Sequence, residues 1–404
     1  MSQFSPVSSG AARPSAYRRW VAILAGGVAL LLPAAGVPAT AFAASPGVGD
    51  AQILETRVLA APRPVPASDN RTHLVYEVML RNVSARPVQL DRVEVQEPGR
   101  AGPIAVYDSR AIERVLLDPK ARTFGRALAP GTSGSLLLDV TVAAGARAPA
   151  RLIHRFEVSG TAHRTVSGAA TKVAQREPLH LSPPLRGGGL AVYGCCRPPF
   201  VHRLAVMELN GGTFAAQRYA IDFVRTRGGV DSYAGDQARN ESYFIFGAGV
   251  TAVADGRVLA VRDGVPENTP EKLPPRTGPG DLTGNFVIQD LGGGAYALYA
   301  HMQTGSVRVR PGDRLTRGQA LGLVGNTGNS TEPHLHFHVV DSPELPLGVA
   351  GDSVPYTFDR FRLQNRITGL DSDPPAPVRV AAPPAPGRTG QYPLTGDVID
   401  FGER

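Results

Sequence analysis

Cysteine is close to absent: only Cys195 and Cys196 occur in 404 residues. Adjacent α-carbons lie about 3.8 Å apart across a trans peptide, below the usual disulfide span, so the pair reads as two thiols and no disulfide framework is expected. Lysine is equally scarce, at Lys120, Lys172 and Lys272, and the formal net charge is only +7. That charge is too weak and too scattered for a nucleic-acid surface. Long apolar runs are lacking too. The one candidate, Trp20 to Leu32, is shorter than the ~20 residues that a membrane span needs. It follows Arg13, Arg18 and Arg19 and precedes Ala41-Phe42-Ala43, which gives residues 1–43 the three-part form of a secretory signal peptide. The expectation is an exported protein of the periplasm, cell envelope or extracellular space, with no stable membrane span after cleavage. Without those three arginines the balance is 39 basic against 35 acidic residues, or +4.

What the chain has in quantity is glycine (46) and proline (36), the punctuation of many short strands, and the expected class is mostly β. Between residues 44 and 175, the runs His73–Arg81, Val88–Val95, Ser135–Val142 and Ile153–Val158 alternate with turns and predict a β-sandwich. Its histidines, His73, His154, His163 and His180 just beyond it, are isolated and read as surface or satisfied side chains. Residues 176–200, with Ser182-Pro-Pro and Gly187-Gly-Gly, read as a linker. Val201–Leu209 and Thr213–Val224 then form a predicted hairpin across Asn210-Gly211-Gly212. Further strands are expected through Val309, with a long loop between Arg262 and Gly284 as a lid or groove wall. Residues 346–404 read as an edge strand, Tyr356 to Leu363, and a proline-rich tail.

The chemistry concentrates at Gly325–Val340, GNTGNSTEPHLHFHVV, where His334, His336 and His338 recur at every second position. In a strand such residues share one face, and Leu335, Phe337 and Val339 share the other. A neutral imidazole is the commonest metal ligand near neutral pH. Two other segments belong with this one: Ala220-Ile221-Asp222-Phe223 and Leu298-Tyr299-Ala300-His301-Met302.

Together with the V-x-V-x-x-G-D-x-L-x-x-G-Q-x-L-G-x-V-G run from Val307 to Gly325, these segments resemble the lysostaphin-type (LytM or β-lytic) zinc endopeptidases over roughly residues 201–342, within an expected domain of residues 201–345. The resemblance implies an antiparallel β-sheet peptidase domain with zinc held by Asp222 and His336, and with His301 and His334 as the catalytic groups. Zinc takes nitrogen and oxygen ligands with one position open, and lowers the pKa of a bound water to ~7. One position departs from the pattern: the family's first ligand, a histidine four residues before the aspartate, is Arg218 here. A guanidinium has no lone pair to give. Either the metal is lost or another residue substitutes, and His202 is a candidate by geometry, the alternative being a hairpin-edge histidine: if Leu209 pairs with Thr213, His202 lies opposite Ala220 on the face of Asp222. His338, one step beyond His336, reads instead as a group behind the ligands or in solvent. The implied activity is exported zinc-dependent hydrolysis of peptidoglycan cross-link peptides. The alternative is a non-hydrolytic relative that binds wall peptides or activates another wall hydrolase.

Overall fold

The computed structural model describes residues 53–403 except 144, 161–162, 197–200, 210, 228–229, 274–280, 344–350, 370–378 and 384–385. The signal-peptide reading lies outside the described residues. Almost all regular structure is β, in mainly antiparallel sheets, as composition and turn spacing imply.

The first two sheets form the expected N-terminal sandwich. In one, β1 (Arg71–Asn82) and β2 (Ser133–Ala143) pair without interruption from Arg71↔Ala143 to Arg81↔Ser133. The facing sheet is centred on Val88–Gln96 and Arg151–Ser159. Because alternate side chains of a strand face opposite ways, Leu74, Tyr76, Val78, Leu136, Leu138 and Val140 enter the core between the sheets, against Leu90, Val93 and Phe156. The residues between them point the other way. Glu77, for one, is buried on the outer face of this sheet, toward the rest of the chain.

Most of the remaining strands build a twelve-stranded sheet, and two short pairs stand apart from it. The centre of the large sheet comprises β3 (Leu190–Tyr193), β4 (Ile221–Arg225), β5 (Asn285–Gly292), β6 (Ala295–Met302), β7 (Leu335–Val340), β8 (Tyr356–Thr368) and β9 (Asp397–Asp400), in the spatial order β8-β9-β3-β4-β7-β6-β5. Two expectations are corrected here. The region read as a linker supplies β3 and a short strand, Leu179–Leu181, that pairs parallel with β8. The region read as an edge strand and tail supplies β8 and β9, with β9 inserted between β8 and β3. Burial is the physical reason. Tyr356, Phe358, Leu363, Ile399 and Phe401 cover the apolar face that β4 and β7 present through Phe223, Leu335 and Phe337, and ring centroids of Phe337 and Tyr356 are 5.2 Å apart. Without those strands the face that backs the histidines would lie open to water.

A third correction concerns the cysteines. Cys195 and Cys196 form a disulfide with their α-carbons 3.0 Å apart, because the peptide between them is cis, where the sequence reading assumed trans.

Candidate active site

The sheet register brings the sequence-predicted residues together. Asp222 on β4 lies directly across from His336 on β7, which lies across from Ala300 on β6. His336 Nδ1 is 2.8 Å from Asp222 Oδ1, and His336 Nε2 is 2.8 Å from His338 Nδ1. His338 thus stands behind His336 and orients it. His202 Nε2 approaches the other carboxylate oxygen at 3.2 Å. His334 Nε2 lies 3.6 Å from Oδ1.

His202 reaches this point by a route other than the one expected. The hairpin is only Met207–Leu209 with Gly212–Phe214, and its register is Leu209↔Gly212, one residue from the predicted pairing. A continued strand in that register would turn His202 away. It is instead on a 3₁₀ turn, Val201–Leu204, which re-aims the side chain at Asp222.

His301 also depends on a break in regularity. Strand alternation puts it on the face of Tyr299, in the core, opposite to His336. However, β6 opposes Asn285↔Met302 and Val287↔Tyr299, so three steps on one strand match two on the other. This is a bulge, and His301 within it has φ +62°, a left-handed conformation that few non-glycine residues adopt. The bulge carries the His301 ring to 4.6 Å from that of His334 and 5.8 Å from that of His336, centroid to centroid. Such strain is held only where the surroundings over-determine it. Here His301 Nδ1 lies 2.7 Å from the Thr327 carbonyl, and Thr327 Oγ1 in turn donates to the Met302 carbonyl and accepts from the Asn285 amide. The turn bearing Thr327 packs on the segment before Asn285 closely enough to need glycine on both sides: a Cβ on Gly328 (φ +75°) would meet Gly284 backbone at 2.3 Å, and one on Gly284 would meet Thr327 at 2.4 Å.

A carbonyl oxygen only accepts, so His301 Nδ1 carries its proton, and so does His334 Nδ1, 2.8 Å from the Glu332 carbonyl. Both rings therefore hold Nε2 as the lone-pair nitrogen when neutral. The near half of the expected lid is tied down rather than loose. Asn268 Nδ2 donates to the carbonyls of Gly328 and Ser330, and Glu267 accepts from the Asn326 amide. Residues 274–280 of that loop lie outside the described residues.

Residues 244–345 match the family model described as peptidase family M23. Among curated relatives, peptidoglycan DD-endopeptidase ShyA of Vibrio cholerae is 39% identical over 57 residues, 14% of this chain and 13% of its own. ShyB of the same organism is 32% identical over 94 residues, 23% of this chain and 18% of its own. The chain thus spans under a fifth of the length of these relatives. A solved structure titled as a zinc containing peptidase from Vibrio cholerae is similar at 16% identity and TM-score 0.20, covering 66% of this chain and 77% of that one.

The M23 match includes His301, His334, His336 and His338, while His202, Arg218 and Asp222 precede it. His202, Asp222 and His336 each offer a ligand atom within 4.8 Å of the others, and all three are buried. Burial alone would push the Asp222 carboxyl up, but His202, His334 and His336 hold it well below the usual carboxylate range. Burial drives His301 well below the ordinary histidine value, and the nearby His334 and His336 add to this. His336 is lowered by burial as well, against the opposing pull of Asp222. The site therefore pairs an ionised carboxylate at Asp222 with imidazoles that burial keeps neutral at His301 and His336.

Arg218 does not enter this cluster. Its Nε lies 2.9 Å and 3.2 Å from the two Glu77 oxygens, and its guanidinium also donates to Asp352 at 2.9 Å. Glu77 also accepts from Arg203 at 2.7 Å. Sequence reasoning missed Glu77. Its only signal was a lone acidic residue within an otherwise apolar stretch of β1, on a strand more than a hundred residues from its partners.

Proposed function

We propose that this protein is an exported, zinc-dependent endopeptidase that hydrolyses peptide cross-links of peptidoglycan. The observation that carries this reading is the buried His202, Asp222 and His336 set beside two histidines with defined tautomers. Two imidazoles and one carboxylate are a donor set that zinc accepts with a position left open. The fit is supported by His202 Nδ1, a buried nitrogen with no hydrogen-bond partner, and by His338, which holds the far nitrogen of His336 as outer residues commonly do around metal-bound histidine. The proton now shared between His336 Nδ1 and Asp222 would leave when both atoms serve as ligands.

When bound, zinc supplies Lewis acidity for the scissile amide carbonyl. His301 and His334, each presenting Nε2, accept a proton from the attacking water. As imidazolium, either donates to the departing amine or to the oxyanion that develops on the carbonyl carbon's oxygen. The Thr327 and Glu332 carbonyls hold the two rings in place throughout.

The peptidoglycan substrate is supported by the relatives' names, and export by the form of residues 1–43. No helix among the described residues is long and apolar enough to cross a membrane. The non-hydrolytic alternative drew its support from Arg218 standing at a ligand position, and Arg218 is engaged by Glu77 and Asp352 instead. Incubating the zinc-loaded full chain with cross-linked muropeptides tests the proposal, with products weighed by mass spectrometry. Cleavage of a peptide amide by the native chain and its loss in His202→Ala are expected. Uncleaved dimers at full zinc occupancy would overturn it.

A further inference from the structure

We infer that Glu77 of the N-terminal sandwich is a positioning residue for the metal centre of the neighbouring sheet, acting through Arg203 to hold His202 at Asp222. The inference rests on the reading of His202 as a ligand.

Asp222 and His336 sit on paired central strands, so the sheet itself fixes them. His202 has no such support. Its 3₁₀ turn is one turn long and is closed by a bond from the Ala205 amide to the His202 carbonyl. Side chains and backbone of the sandwich supply what the turn lacks. Arg203, 1% exposed, donates to Glu77 at 2.7 Å and to the carbonyls of Leu138 and Tyr76 at 3.2 and 3.4 Å. Arg122 donates to the Leu204 carbonyl. Leu204 and Val206 pack with Leu117 and Leu137 of the sandwich. The residue after His202 is thus anchored in one domain while His202 itself points at a carboxylate of the other. Glu77 is the sandwich carboxylate that Arg203 bonds, and Arg218 grips the same carboxylate from the other side, which keeps it fixed.

A contact that merely glued two domains together would alter stability and leave metal affinity alone. A contact that places a ligand would alter affinity and the ligand field. Full-length native protein, Glu77→Gln, Arg203→Met and His202→Ala are compared by zinc competition against a chromophoric chelator and by the visible spectrum of the cobalt(II)-loaded forms. Native protein is expected to bind one zinc tightly. Glu77→Gln and Arg203→Met should bind it roughly 10- to 100-fold more weakly, as outer-residue changes do around metal-bound histidine, with cobalt spectra shifted toward that of His202→Ala. Native-like zinc affinity and cobalt spectra in both folded variants overturn the inference. If Glu77→Gln fails to fold, Arg203→Met decides alone, since Glu77 then keeps Arg218 as its partner. Equal zinc affinity in native protein and His202→Ala would instead remove His202 as a ligand. That result is distinct because it is read before either positioning variant is considered, and it overturns the inference as well.

Discussion

Replacing Arg218 by methionine removes the charged fork at the centre of the domain junction and keeps most of the side chain's length. Arg218 is 4% exposed, and its guanidinium bonds both Glu77 and Asp352. Breaking a buried pair by removing one partner costs about 3–5 kcal/mol, because the other charge is left without compensation. Two features place this case at the lower end. Glu77 retains Arg203, and burial pushes the Asp352 carboxyl up so that it takes a proton readily once Arg218 is gone. The expected loss is about 3 kcal/mol, roughly a 150-fold change in the folding equilibrium, read as a lower urea midpoint at unchanged slope. Zinc stoichiometry should stay at one, because Asp222 and His336 are set by sheet register and Arg218 bonds neither of them. A loss below about 1 kcal/mol would refute the reasoning on burial, and a loss of zinc would refute the assignment of Arg218 to the junction.

His301→Gln and His334→Gln should each lower kcat by about 10²–10⁴-fold in muropeptide cleavage while zinc content stays at one equivalent; joint loss of zinc and turnover would make the residue a ligand instead. His73 supplies a pH dependence away from the site. Its burial would lower the imidazole, but hydrogen bonds to Asp139 and Asp69 outweigh that and raise it to about 9. The folded pKa lies above the unfolded one, so the contribution, about 3 kcal/mol, is fully present below pH ~6.5 and is lost as pH rises through about 9. Urea midpoints of the native chain and His73→Gln should therefore differ at pH 6 and converge toward pH 10, and a gap that widens with pH would reverse the sign.

The sequence made the site's apolar backing legible through one simple rule. Period-two alternation separates His336 and His338 from Leu335, Phe337 and Val339, and the core contains those three. The same rule misplaces His301, because a bulge is one inserted residue and leaves no periodic trace. His202 was found as a candidate on a register that the chain does not adopt, and it arrives by a turn whose anchor, Glu77, lies in another domain. Strands β3 and β9 have four residues each beside glycine and proline, too short for a pattern to emerge. The sandwich was legible because its strands are long, at 9–12 residues for β1, β2, Val88–Gln96 and Arg151–Ser159. Its outward-facing acid was not, since β1 gives no sign of what covers its second face.

The most direct test is an anomalous difference map at the zinc edge from crystals of the full chain grown with zinc. The account predicts one strong peak within bonding distance of His202, Asp222 and His336, with Arg218 still paired to Glu77. A site without a peak, or one whose peak is bonded by Asp222 and His336 while His202 points elsewhere, would contradict it.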